Sequence, residues 1–316
     1  MNILLTSVGR RAYMVKYFKE VVGESGQVHV SNSDDKTVAF HYADKSVVTP
    51  LIYNSEYIPF LLKYCKDNAI DLLISLFDID LPVLARNKSR FVEIGTRVIV
   101  SDPEIVEICN DKWKTYQYLK ANGFKTPKTF LTLQQTMLAL NSGELHYPII
   151  VKPRFGCGSI AMSVAEDELA LLYYYSRNTR AVNNTYLKYE SADMDEKIIY
   201  QEYLDGQEYG ADIINDLDGN FRQVNLRKKI AMRAGETDIA ELVEEPMISS
   251  ELERLGRLTG HIGNMDCDVF MTKSGAYILE MNARFGGGYP FSHEGGCNLP
   301  LAIVNWIKGK TVEQDL

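Results

Sequence analysis

The sequence predicts an α/β protein that opens with a parallel-sheet domain and continues into a strand-rich α+β region. Three observations carry this. In the first third of the chain, short apolar runs alternate with helical periodicity in β-α-β-α order, the pattern of a parallel sheet with helices on both faces. From about Pro103 the texture changes, and strands follow one another across the hairpin-turn sequences "DLDGN" and "TKSG". The 316 residues, 46% of them hydrophobic, suffice for buried cores in two or three domains.

In chain order, "NILLTSVG" reads as a strand entering a tight turn and "RAYMVKYFKEVV" as a helix. "QVHVSNSDD" is a strand and loop, "IPFLLKYCKDNAI" an amphipathic helix, "DLLISLFD" a strand, "LPVLARNKSRFVEIG" a helix and "RVIVSD" a strand. Ligands of such sheets bind beyond the carboxyl ends of the strands, which draws attention to Ser7, Arg10, Asp78 and Asp80. "PEIVEICNDKWKTYQYLKANGF" is helical to about Gly123, and "YPIIVKPRFGCGSIAMSV" is strand, Gly-rich turn, strand. "ELALLYYYSRN" is a helix whose tyrosines pack. "NTRAVNNTYLKYESADMDEK" reads as a long mobile polar loop. Strands "IIYQEYL", "EYGADIIND" and "FRQVNLRKKIAM", the hairpin "CDVFMTKSGAYILEMN" and the helix "LPLAIVNWIKG" complete the chain.

A net charge of −8 disfavours nucleic acid and anionic membranes as partners. No apolar run is long enough to span a bilayer, and the first arginines follow the N-terminal apolar run, the reverse of a secretion signal. Cys65, Cys109, Cys157, Cys267 and Cys297 are scattered without zinc-ligand spacing, so reduced thiols in a cytoplasm are expected.

Four segments carry the chemistry. In "DCDVFMTKSGAYILEMN", Glu280 and Asn282 share one strand face and the turn brings Asp268 beside them. Three oxygen ligands on one face suit a hard cation such as Mg²⁺, with Mn²⁺ as an alternative. Lys152 ends a β-branched strand before Gly156, Gly158 and Ser159, a turn whose backbone could approach a phosphate; a plain hairpin turn is an equal alternative. In "YQEYLDGQEYG", Gln201, Glu202 and Leu204 could read the edge of a base and Glu208 could accept ribose hydroxyls. Lys112 in "CNDKWK" is, alone, a helix-surface lysine.

Together and in this order, "NDKWKTYQYL", "KPRFGCGS", "QEYLDGQEYG" and "DVFMTKSGAYILEMNARFGGG" resemble the ATP-grasp superfamily, most closely the single-unit relatives of the carbamoyl-phosphate synthetase large chain. The resemblance implies a pre-ATP-grasp α/β domain (1–108), a linker helix with the ATP-grasp lid (109–200) and a C-terminal ATP-grasp subdomain with the metal site (201–316). It implies that Lys112 and Lys152 contact ATP, that Gln201, Glu202 and Leu204 hold adenine and that Glu208 holds ribose. Asp268, Glu280 and Asn282 would then bind Mg²⁺, with Asp266 as the fallback first ligand, and Arg284 would steady the transferred phosphoryl group. Ala161 stands where the lid hairpin often has glycine. The implied activity is an ADP-forming ligase joining a small carboxylate to an amine through an acyl phosphate. A carboxylate kinase and a non-catalytic ATP-binding regulator are the alternatives, and a homodimer is compatible with the reading. This single grasp unit argues against carbamoyl phosphate synthesis. For the acceptor, "LRKKIAMRAGETD" offers Lys228, Arg233 and Glu236, Arg233 holding a carboxylate and Glu236 meeting an amine; Arg10 and Asp78 are the other option.

Overall fold

The computed structural model describes residues 1–156, 158, 160–192, 194–233, 235–310 and 316. The N-terminal part runs β1 (Asn2–Thr6), α1 (Ala12–Val22), β2 (Gln27–Asn32), β3 (Lys45–Val48), α2 (Tyr57–Asp67), β4 (Leu72–Ser75), α3 (Asp80–Glu93) and β5 (Arg97–Ile99). These strands form a parallel sheet of order β3-β2-β1-β4-β5. The reversal of direction about β1 opens a crevice at the carboxyl ends of β1 and β4, where such folds bind ligands. Leu4, Leu5, Leu72 and Leu73 are fully buried because helices cover both faces.

The chain continues through α4 (Pro103–Asn110), α5 (Lys112–Ala121), β6 (Thr129–Phe130), α6 (Leu133–Asn141), β7 (Ile149–Pro153), β8 (Ser163–Ala165), α7 (Glu168–Asn183), α8 (Leu187–Glu190) and β9 (Ile198–Glu202). Strands β6, β9, β7 and β8 make the antiparallel lid sheet. The segment expected to be a long loop is largely ordered: α7 extends to Asn183 and α8 follows. Val182 and Leu187 explain this, since both are buried in the lid core with Leu171 and Tyr200.

The last part comprises β10 (Gln207–Asn215), β11 (Phe221–Arg233), β12 (Glu236–Leu242), α9 (Pro246–Thr259), β13 (Gly263–Thr272), β14 (Gly275–Asn282), α10 (Tyr289–Glu294) and α11 (Leu299–Ile307). Its antiparallel sheet has the order β12-β11-β10-β13-β14. Strand β12 and helix α9 escaped the sequence reading. The helix is nonetheless signalled by Ile248, Leu252 and Leu255, which recur on one face and are fully buried.

Packing cuts across the expected boundaries twice. Cys109, Leu119 and Phe124, from α4, α5 and the residues after them, join the core of the last sheet rather than the lid. Leu299, Ile303 and Val304 of α11 pack into the N-terminal core with Met14 and Phe18 of α1. The chain's end thus ties the first domain to the last sheet. No helix among the described residues is long and apolar enough to cross a membrane. Cys65, Cys109, Cys267 and Cys297 are buried free thiols, while Cys157 lies outside the described residues.

Candidate nucleotide and acceptor site

The lid sheet faces the last sheet across a cavity of about 470 Å³. One end has apolar walls, including Ile150, Met162, Val164, Phe270 and Leu279. Lys152 enters here from β7. Its Nζ donates to Gln201 Oε1 at 2.9 Å, and Gln201 Nε2 donates to Thr129 Oγ1 at 2.9 Å. Burial pushes the lysine down to about 8; Glu280 opposes the shift and Lys112 adds to it. Glu202 and Leu204 line the same end. Glu202 closes a two-way contact with Lys128, its N–H donating to Lys128 O at 2.8 Å and its Oε2 accepting from Lys128 N–H at 3.0 Å.

Lys112 is held far more firmly than a helix-surface lysine. Asp111 caps α5 by accepting the Trp113 N–H at 3.0 Å, and it binds Arg154 through two bonds of 2.8 and 2.6 Å. The Lys112 N–H donates to Arg154 O at 3.1 Å, its Nζ donates to Gly156 O, and Nζ lies 3.5 Å from Glu280 Oε1. The turn after β7 is thereby tied to α5. Gly156 adopts φ +93°, and a side chain there would strike Leu187 of α8. Gly158 O occupies the space a side chain at Gly235 would need, so the lid tip touches the turn between β11 and β12. Ser159 lies outside the described residues.

On the opposite wall, β13 and β14 pair with Asp268 opposite Glu280 and Asp266 opposite Asn282. Lys229 of β11 bridges Glu208 and Asp268, at 2.6 Å to each. Burial pushes the Asp268 carboxyl up to about 6; Lys229 opposes this, while Asp266, Glu208 and Glu280 reinforce it. The carboxylates therefore repel one another even with a lysine between two of them, and a divalent cation would relieve that repulsion. Among the described residues no three carboxylate, imidazole or thiol groups assemble a metal cage. A cation here would draw on Asp268, Glu280, the Asn282 amide and oxygens of a bound phosphate, as Mg²⁺ commonly does.

The other end of the cavity is a chain of alternating charges. Arg227 Nη1 donates to Asp212 Oδ2 at 2.6 Å and its Nη2 to Asp266 Oδ1 at 2.8 Å. Arg284 Nη1 donates to Asp266 Oδ2 at 3.0 Å, and its Nη2 reaches Asp78 Oδ2 of the N-terminal domain at 3.0 Å. Asp266 is held below the usual carboxylate range: burial raises it, but Arg284, Arg227 and Lys229 outweigh burial. The triple glycine makes room for these groups. Side chains at Gly286 and Gly288 would collide with Asp266 and Arg227, and one at Gly287 would come within 3.2 Å of Glu236.

The sequence-expected residues Lys112, Lys152, Gly156, Gly158, Gln201, Glu202, Leu204, Glu208, Asp268, Glu280, Asn282 and Arg284 all line this one cavity. Lys228 and Arg233 are not among its lining residues. Along β11, Lys228 shares its strand face with Leu226, which packs into the core containing Leu252 of α9, whereas Arg227 and Lys229 face the cavity. Arg233 is exposed and pairs with Asp238 at 3.1 Å. Of the acceptor options, Glu236 lines the cavity, Asp78 binds Arg284, and Arg10 pairs with Glu236 at 2.7 Å. Sequence reasoning missed Arg11, Arg227 and Lys229. The alternation of Val224 and Leu226 with Asn225, Arg227 and Lys229 was the available signal for the last two.

A lid sheet and a second antiparallel sheet closing on a pocket of paired lysines and facing carboxylates define a nucleotide-binding enzyme architecture. The chain belongs to the ATP-grasp family: residues 109–288 match the ATP-grasp domain, and residues 3–99 match the family described as PylC-like, N-terminal domain. The carbamoyl phosphate synthase large chain of Methanocorpusculum labreanum is 20% identical over 92% of this chain, which covers 27% of that protein. The chain thus spans about a quarter of the length of the curated relatives it matches. Among solved structures, the biotin carboxylase domain of Hydrogenobacter thermophilus 2-oxoglutarate carboxylase, in complex with MgADP and bicarbonate, superposes with a TM-score of 0.74. It is 15% identical, covering 98% of this chain and 70% of that one. The L-amino acid ligase of Bacillus licheniformis gives a TM-score of 0.68 at 20% identity, over 96% of this chain and 73% of that one.

Proposed function

We propose that this chain is an ADP-forming ligase that joins a small carboxylic acid to an amine at the expense of ATP. The observation that carries the reading is one cavity joining the Lys112–Lys152 end, the Asp268–Glu280–Asn282 wall and Arg284. Adenine would lie among Ile150, Leu204 and Leu279, with Lys152 and Lys112 directed at phosphate oxygens and Glu208 at the ribose. Asp268, Glu280 and Asn282 would hold Mg²⁺ (or Mn²⁺), which supplies charge neutralisation and alignment of the phosphates. A carboxylate oxygen of the acid attacks the γ-phosphorus, the bond to ADP breaks and an acyl phosphate forms. The amine nitrogen then attacks the acyl carbon, phosphate leaves and the amine gives up a proton. Arg284, fixed between Asp266 and Asp78, is aligned in advance to stabilise charge on the phosphoryl oxygens.

The test is ADP and phosphate release from Mg-ATP across a panel of acids, with and without amines. Release of both products that requires acid and amine together is the expected result. Repeated turnover that releases the acyl phosphate as product, at a rate amine does not change, identifies a kinase, and ATP binding with no turnover identifies a regulator. Either outcome overturns the ligase reading.

A further inference from the structure

Among the described residues, the acceptor end holds a lining cation that no carboxylate pairs. Arg227 and Arg284 each lie between two carboxylates, and Lys229 bridges two more. Arg11 also lines the cavity, yet it makes no ion pair among the described residues. It is not slack. Its Nη1 donates to Leu76 O at 2.7 Å and to Phe285 O at 2.8 Å, so the backbone of both domains fixes the guanidinium. These bonds occupy Nη1 and leave the Nε and Nη2 donors for a ligand. Arg284 Nη1 approaches the same Phe285 O at 3.4 Å, so the two guanidiniums flank one carbonyl.

Glu236, at the start of β12, lies against Gly287, two residues beyond Phe285 in the sequence. It lines the cavity, and its visible partner is the exposed Arg10, at 2.7 Å. An exposed pair of this kind is weak and easily exchanged. Tyr13 lies within the field of both groups. Burial pushes its phenol up, Arg11 opposes that, and Glu236 reinforces it. The cavity thus presents a fixed guanidinium anchored on Phe285 and a replaceable carboxylate set against Gly287 of the same turn.

We propose that this end of the cavity recognises an amino acid as the acid substrate, with Arg11 taking the carboxylate and Glu236 the ammonium group. The inference rests on the ligase reading above and adds the substrate class. A carboxylate on Arg11 lies beside Arg284, hence next to the phosphoryl group it must attack. A planar guanidinium with two free donors matches a carboxylate bidentately. The ammonium takes the place of Arg10 on Glu236, and the exposed Arg10 guanidinium returns to water. An acid without the amino group would strand Glu236 opposite nothing but Arg10, and an amine without the acid would leave Arg11 unpaired.

The probes are the twenty common L-amino acids, each paired with its 2-oxo acid and its decarboxylated amine. Binding is read by calorimetry in Mg-ADP, and turnover as ADP release from Mg-ATP with a panel of small amines present as acceptors. At least one amino acid is expected to bind and to stimulate release, with its oxo acid and amine weaker by about tenfold or more. Arg11→Gln raises KM for that amino acid about thirtyfold, the scale of a lost charge-assisted pair, and leaves the ATP KM unchanged. Arg11→Lys restores part of it. Glu236→Gln, at a half-exposed position where the fold is not at risk, narrows the gap between the amino acid and its oxo acid. If oxo acids serve as well as amino acids, or if other acids turn over while no amino acid does, the substrate class is wrong and the ligase reading stands. An unchanged KM in both variants removes Arg11 and Glu236 from the site. If Mg-ATP binds and no acid of any kind stimulates ADP release, the ligase reading itself falls and this inference with it.

Discussion

The two ends of the cavity manage charge in opposite ways. At the nucleotide end, Lys152 is buried with the Gln201 amide as its hydrogen-bond partner among the described residues, and desolvation pulls its pKa down to about 8. At the acceptor end, Arg227 and Arg284 are buried too, but each is locked between carboxylates. A lone buried cation raises the energy of the empty protein, and an anionic ligand recovers that energy on binding. A cation already satisfied cannot gain much from a ligand, but it holds its neighbours rigid. The nucleotide end is therefore poised to bind, and the Arg227–Arg284 network of the acceptor end is poised to orient, leaving Arg11 as that end's unpaired cation among the described residues.

The widest gap between the two ends should appear in stability. Arg227→Ala leaves Asp212 and Asp266 buried without their shared cation and should cost about 3–5 kcal/mol. Lys152→Ala removes a desolvated charge and should leave stability unchanged or raised. Denaturant unfolding of both variants reads this, and equal losses would erase the distinction. Glu280→Gln comes next. It removes a charge facing the proposed cation without changing size, so Mg-dependent turnover should drop by about a hundredfold or more while the melting temperature holds. Near-normal turnover in the folded variant would remove the cation from this wall.

How much could be read beforehand follows the same division. The nucleotide end is written in short contiguous strings such as "KPRFGCGS", "QEYLDG" and "ILEMN", where strand parity alone places Glu280 and Asn282 together. The acceptor end is assembled from Arg11, Asp78, Arg227, Asp266 and Arg284, brought together where Ile214, Phe285, Tyr289 and α11 pack into the N-terminal core. No local pattern announces that packing. Strand β11 misled for a related reason. Sheet faces are usually apolar inward, but here the inward face bears Arg227 and Lys229 because it lines a polar cavity, and the apolar face belongs to α9. The long polar segment before β9 carries no local core signal because Val182 and Leu187 are widely spaced, yet both are buried in the lid core and anchor it.

A smaller effect sharpens the account of Lys152. In Lys152→Ala, affinity for Mg-ATP should fall by about 1–3 kcal/mol, the range for a hydrogen bond to a charged group, and calorimetry would show it. The pH dependence has a definite sign. The folded value lies below the ordinary lysine value, so the cost of keeping the buried charge is full below about pH 8 and is relieved as pH rises from there toward the ordinary value. Phosphate binding requires the protonated form. Affinity should then be level below about pH 8 and decline above it, by up to about tenfold per unit, and Lys152→Ala should abolish the decline. A wild-type affinity independent of pH between 7 and 10 would mean that Lys152 does not face phosphate.

The smallest effect concerns the lid hairpin. Ala161 has φ +53°, in the left-handed region that glycine occupies freely and alanine only at a cost of about 1–2 kcal/mol. The position therefore has glycine's backbone without glycine. Ala161→Gly relieves the strain of the folded hairpin but gives the unfolded chain more freedom, worth about 0.4–1 kcal/mol in the opposite direction. The net change in stability should lie between zero and about 1.6 kcal/mol of stabilisation. The nucleotide end should feel it and the acceptor end should not: Mg-ATP affinity would rise slightly as the hairpin settles more readily, while KM for the acid stays fixed. Hydrogen exchange at Ile160 and Met162 in Mg-ATP would report the first part and steady-state kinetics the second. A loss of stability greater than about 1 kcal/mol would mean that the alanine side chain is needed for packing and that the strain is offset by contact rather than stored in the lid.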